Sequence, residues 1–182
     1  MTGRIALHFV HWSPALSAPP DLDELFVRAA ADPDTPLLLA DFVDATPPKG
    51  EFRTATREAA TGLPPIEVAM RSPSLRVLAI EKTARNPNEE FVFIGRASTC
   101  DVILRDASVS KSHAVFERES AEWFLRDNRS HNGTFVGDRR LESGERVRVE
   151  SGDAIRFGAY VVYFVLPRDL RRILETTGLA RG

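Results

Sequence analysis

The chain is 182 residues long, 43% apolar and 27% charged, with a formal net charge of −2. Such a composition supplies a sizeable core and excludes a wholly disordered or collagen-like chain, and its longest apolar run, Ala159 to Leu166, is far short of the roughly 20 residues a bilayer helix requires. The single cysteine, Cys100, excludes an internal disulfide framework, and neither half has the positive excess of a nucleic-acid footprint, so a cytoplasmic protein that engages neither nucleic acid nor membrane is expected.

Proline divides the chain, since 10 of its 12 prolines fall in residues 1–73. Proline cannot donate to a ladder and biases its predecessor away from helix, so this part is expected as an extension of short pieces. Arg4 to His11 alternates as a strand, with Ile5, Leu7 and Phe9 on one face. The start of the chain resembles no signal peptide, because proline and histidine interrupt its apolar stretch. Asp21 to Ala31 has helical spacing, with Asp21 and Glu24 in capping-box positions. Leu37 to Val43 reads as a buried strand, and Glu51 to Thr61 as a second helix stopped by Gly62. The order is suggestive of a small βα unit, but so short a segment buries little surface and must lean on the rest of the protein or a partner.

From Ser74 the pattern changes to short strands: Leu75 to Ile80, Phe91 to Ile94, Val102 to Leu104, Ala114 to Arg118 and Glu122 to Arg126. Thr134 to Val136, Arg146 to Val149, Ala154 to Phe157 and Tyr160 to Leu166 complete the series. Turn signals separate them, among them Asn132-Gly133, Gly137-Asp138, Ser143-Gly144 and Ser151-Gly152-Asp153. Frequent turns between short alternating strands predict an antiparallel β-sandwich or barrel over residues 74–167. Beyond Pro167, Asp169 to Thr177 carries Leu170, Ile173 and Leu174 at helical spacing, so residues 168–182 are expected as a short C-terminal helix, with Gly178 as its stop, and a tail.

The loops of this β region carry four blocks in order: Gly95-Arg96, Val109-Ser110-Lys111-Ser112-His113, Ser130-His131-Asn132-Gly133-Thr134, and Gly152-Asp153 through Gly158. Together they resemble the forkhead-associated (FHA) domain over about residues 74–167. The resemblance implies a mainly β, FHA-like antiparallel sandwich whose apical loops bind a phosphothreonine peptide, without enzymatic activity, catalytic residues, cofactor or metal. The implied phosphopeptide-binding residues are Arg96, Ser110, Lys111, His131 and Asn132, with Gly95, His113 and Gly133 supporting the loops.

Residue chemistry agrees with that implication. A phosphothreonine presents about −1.5 to −2 charge and three acceptor oxygens. Arg96 follows a rigid strand, and its guanidinium fork suits a phosphate bidentately. Ser110 offers a hydroxyl, Lys111 a backbone or ammonium donor, and Asn132 an amide able to hold a peptide main chain. Residues 110 and 113 cannot share one face of an extended chain, so if Ser110 faces the ligand, His113 points elsewhere. Each residue has a plainer reading too. Arg96 is one of many arginines, lysine being confined to Lys49, Lys82 and Lys111, and that dominance more often reflects genomic base composition than oxyanion recognition. Asn132-Gly133 is also a hairpin signal. Ser110 and His113 have poor geometry for nucleophilic catalysis, and His8 and His11 fall on opposite strand faces, so no metal site is expected. Cys100 reads as a small core or loop thiol.

One departure from the family is His131, where threonine or serine is usual. If His131 lines the pocket, affinity should strengthen as pH falls from about 7.5 toward 6, and identical profiles for wild type and His131→Thr would exclude it. The expected function is a phosphothreonine-dependent adaptor whose partner is a phosphothreonine-containing protein or a Ser/Thr kinase. The alternative is a phospho-independent interaction scaffold using the extension or the C-terminal helix. Thr46, Thr54 and Thr56 could in addition be phosphorylated and fill the protein's own pocket or a neighbour's.

Overall fold

The structure is a computed structural model that describes residues 34–41, 65–70, 72 and 75–176. The strand expected over 4–11, the helices over 21–31 and 51–61, the stop at Gly178, and Thr46, Thr54 and Thr56 all lie outside the described residues.

Eleven strands and two helices are described: β1 Leu37–Asp41, α1 Ile66–Met70, β2 Leu75–Ala79, β3 Val92–Gly95, β4 Val102–Ile103, β5 Ala114–Glu119, β6 Glu122–Asp127, β7 Thr134–Val136, β8 Arg139–Arg140, β9 Arg146–Val149, β10 Ala154–Phe157, β11 Tyr160–Val165 and α2 Pro167–Thr176. They form a sandwich of a six-stranded sheet, β2-β1-β11-β10-β7-β8, on a five-stranded sheet, β4-β3-β5-β6-β9. Among the described residues all strand pairings are antiparallel except β3 with β4, which run parallel with Ile94 opposite Val102. The intervening segment reverses through a tight turn closed by Cys100 N–H to the Ala97 carbonyl, which sets Arg96 at the end of the sheet.

Alternation along the strands fills the space between the sheets. Ile94, Phe116, Leu125, Ile155, Phe157, Val162 and Phe164 form one cluster there, all essentially inaccessible. The other face of the six-stranded sheet is covered as well: Leu39, Tyr163 and Val165 pack with Ala69 and Met70 of α1 and with Leu170 and Ile173 of α2. This double cover explains why β1 and β11 are apolar on successive residues, as expected of strands buried on both faces.

Sequence and structure differ in three respects. The strand expected over 37–43 forms as β1, but it sits between β2 and β11, with Leu38 opposite Leu78 on one side and Phe164 on the other. The sandwich therefore takes a strand from the proline-rich segment rather than leaving it in a separate βα unit, because a run apolar on both sides needs neighbours and cover that a short unit cannot supply. Strand β8, two exposed arginines, carries no apolar pattern and was not expected. Helix α1 also lacked a periodic signal; Pro65, whose carbonyl accepts the Val68 N–H at 2.9 Å, opens it.

Candidate functional site

Three loops meet at one end of the sandwich: β3–β4, β4–β5 and β6–β7. The first two are joined through backbone, with Arg96 N–H donating to the Ser110 carbonyl at 2.9 Å and Ala97 N–H to the Lys111 carbonyl at 3.0 Å. Gly95 makes this approach possible, since a Cβ there would stand 2.4 Å from the Lys111 carbonyl oxygen. The exposed Arg96 donates from Nε to the Val109 carbonyl at 3.2 Å. Its two terminal nitrogens have no partner among the described residues, so the fork is oriented yet open.

Ser110 is the junction with the third loop. Its Oγ accepts the backbone N–H of His131 at 2.9 Å, which leaves the hydroxyl proton available to donate outward. Its own N–H donates to Nδ1 of His113 at 2.9 Å. An amide can only donate, so Nδ1 is unprotonated, and Nε2 therefore carries the hydrogen given to the Gly133 carbonyl at 3.1 Å. His113 is fully buried, edge-on to Phe157 with ring centroids 5.6 Å apart. Burial pushes its pKa below the ordinary imidazole value, only partly offset by the Gly133 hydrogen bond and the Asp127 charge. His113 thus ties the β4–β5 and β6–β7 loops together from beneath.

Asn132 is exposed and donates from Nδ2 to the Ser108 carbonyl at 2.7 Å, leaving its Oδ1 and a second N–H. The side chains of Lys111 and His131 are exposed. The structure thus links Gly95, Arg96, Ser110, Lys111, His113, His131, Asn132 and Gly133 into one hydrogen-bonded loop cluster.

Several supporting residues were not among the site residues expected from sequence. Ser108 receives Asn132 on its carbonyl, accepts the Ala159 N–H on Oγ at 2.9 Å, and donates that hydroxyl to Asp106 at 2.5 Å. Gly158, with φ +64, brings the β10–β11 turn so close that a Cβ would lie 2.4 Å from the Ser108 carbonyl oxygen. Asp127, buried at the end of β6, accepts from Ser130 N–H and Oγ and from Thr134 Oγ1, and so shapes the loop carrying His131 and Asn132. Burial would raise the Asp127 carboxyl, but these bonds and the facing His113 hold it below the usual carboxylate range. The Asp, Ser and Thr positions 127, 130 and 134 are an Asx- and ST-turn signal that could have been read from sequence. The contacts of Ser108 join distant segments and leave no local trace. Cys100 is buried, its thiol pushed up chiefly by burial, and it donates to the Lys111 carbonyl at 3.2 Å.

Among the described residues no group of histidine, cysteine, aspartate and glutamate could hold a metal ion, and no helix is long and apolar enough to cross a membrane.

A two-sheet sandwich with a cation, a hydroxyl and an amide gathered on loops at one end is the arrangement of a loop-based recognition module. Residues 92–158 match the FHA domain family model, so the chain carries an FHA domain. It is similar to the FHA domain-containing protein PS1 of Arabidopsis thaliana, with 39% identity over 72 residues, covering 38% of this chain and 5% of PS1. FHA domain-containing protein FhaB of Mycobacterium tuberculosis is 34% identical over 71 residues, which cover 39% of this chain and 44% of FhaB. The chain thus spans well under two thirds of the length of either relative. Among solved structures, Mycobacterium tuberculosis EmbR in complex with a low affinity phosphopeptide is similar at 32% identity and a TM-score of 0.39, over 42% of this chain and 20% of that one.

Proposed function

We propose that the loop cluster binds a phosphothreonine peptide and that the chain acts, without catalysis, as an adaptor for a partner phosphorylated by a Ser/Thr kinase. The carrying observation is the state of Arg96 and Ser110: the guanidinium is steered by Nε to the Val109 carbonyl with its fork open, beside a hydroxyl whose oxygen already accepts from His131 and whose proton is left to donate. Planar cation plus hydroxyl donor is the complement of a phosphoryl group, and hydrogen bonds to a charged group contribute roughly 1.5–3 kcal/mol each. Asn132, fixed to the Ser108 carbonyl, has a remaining donor and acceptor for a peptide main chain. The family match over residues 92–158 supports this reading.

Titrating the chain with matched phosphothreonine and unphosphorylated peptide libraries tests the reading. The phosphorylated set alone should bind, and Arg96→Ala should abolish binding while leaving the unfolding midpoint close to wild type, since the side chain is exposed. Equal binding of both libraries, or retained binding by the variant, would assign the chain to phosphate-independent interaction instead.

A further inference from the structure

A second cationic feature lies at the side of the sandwich, where β2, an edge of one sheet, meets β4, an edge of the other. Leu78 of β2, Ile103 of β4, Leu104 and Tyr160 form the walls of a cavity of about 150 Å³. Three guanidinium-bearing residues line it as well, Arg76, Arg85 and Arg105, and no carboxylate does.

The surroundings hold these cations without neutralising two of them. Arg85 is positioned by neutral acceptors, with Nε on Thr83 Oγ1 at 3.4 Å and a terminal nitrogen on the Asp101 carbonyl at 3.1 Å. Arg105 is exposed and has no hydrogen bond or ion pair among the described residues. The nearest carboxylates along the chain are engaged elsewhere. Asp101 accepts from Lys82, Thr83, Asn86 and the Phe93 N–H. Asp106 accepts the N–H and hydroxyl of Ser108. Uncompensated arginines above an apolar floor make a local positive potential, which complements an anion.

The cavity is also close along the chain to the proposed phosphothreonine site. Arg105 and Ser110 belong to the same β4–β5 loop, so their Cα atoms are at most about 17 Å apart. Tyr160 follows the β10–β11 turn, whose Ala159 N–H binds the same Ser108 that receives Asn132. A peptide seated at Arg96 could reach the cavity with a spacer of about five residues.

We infer that Arg85 and Arg105 form a second anion subsite, which receives an acidic or phosphorylated side chain of the same peptide whose phosphothreonine is held by Arg96 and Ser110. The inference rests on the phosphothreonine reading of the loop cluster. It makes flanking negative charge about five residues from the phosphothreonine a determinant of partner choice.

The test is titration of the full chain, by fluorescence anisotropy at low salt, with phosphothreonine peptides carrying a four-residue flank beyond a five-residue spacer, on either side. The flank is tetra-alanine, tetra-glutamate, or alanine with one phosphoserine; the last two arms distinguish carboxylate from phosphoryl. One anionic flank should bind about three- to tenfold more tightly than tetra-alanine, as for a pair of exposed ion pairs. Arg105→Gln should remove that gain without changing the affinity for the alanine-flanked peptide, and added salt should erode it. Equal affinities for all flanks in both orientations, or an undiminished gain in an Arg85→Gln/Arg105→Gln variant, would overturn the subsite alone. Failure of the alanine-flanked phosphopeptide to bind at all would instead overturn the phosphothreonine reading, and the subsite with it.

Discussion

Replacing His113 by phenylalanine isolates the hydrogen bonds beneath the loop cluster. The ring and its edge contact with Phe157 are roughly kept, but the acceptor for Ser110 N–H at 2.9 Å and the donor to the Gly133 carbonyl at 3.1 Å are both lost. The two losses are unequal. The Gly133 carbonyl still accepts the Gly158 N–H at 3.0 Å, so that loss costs about 1 kcal/mol, whereas the Ser110 N–H is left without a partner at about 1–3 kcal/mol. A total of about 2–4 kcal/mol follows, which at a mid-range urea slope of about 2 kcal/mol per molar lowers the denaturation midpoint by roughly 1–2 M. The pH dependence supplies an independent reading. Burial lowers the His113 pKa below 6.5, so as pH falls below 6.5 the unfolded chain takes up a proton that the folded protein refuses. Wild-type stability should therefore fall across that window and level off below the folded pKa, and His113→Phe should lack this component. Urea titrations of both proteins between about pH 7.5 and 5 give both quantities. A variant midpoint within about 0.3 M of wild type, or identical pH slopes, would refute the reasoning.

Gly95→Ala should destabilise by about 1–3 kcal/mol, because the added methyl meets backbone at 2.4 Å rather than a movable side chain; thermal unfolding checks it, and a neutral effect would show that the two loops separate easily. Asp101→Ala should cost about 3 kcal/mol or more in chemical denaturation, since it strands the Phe93 and Thr83 amides and Asn86 at once. Although burial opposes it, hydrogen bonding holds Asp101 below its usual 3.8, and Asp127 likewise. The stability these carboxylates contribute is complete above pH 3.8 and is lost as pH falls through their lower folded values. Wild-type stability followed by circular dichroism should accordingly fall as pH drops below 3.8, and Asp101→Ala should lack the Asp101 share of that fall; equal acid dependence of the two proteins would refute it.

The amino-acid order by itself determined most of the strands after residue 74, because a two-residue period assigns each side chain to a face without reference to any partner. Arg146 to Val149 and Ala154 to Phe157 carry such a period and form β9 and β10 with those bounds. The order also determined where the chain turns, and it places the Gly-Arg, Ser-x-x-His and Asn-Gly blocks in loops between those strands. What it did not determine is adjacency. That β1 lies between β2 and β11, that β3 and β4 run parallel, and that Ser108 joins Asn132 to the β10–β11 turn are all outcomes of long-range pairing. Local pattern says which side of a strand seeks burial, whereas only the assembled sandwich decides which neighbour provides it. For the same reason the loop residues could be named one by one from the sequence, but the open fork of Arg96 and the uncompensated Arg105 are visible only once every nearby acceptor has found its donor.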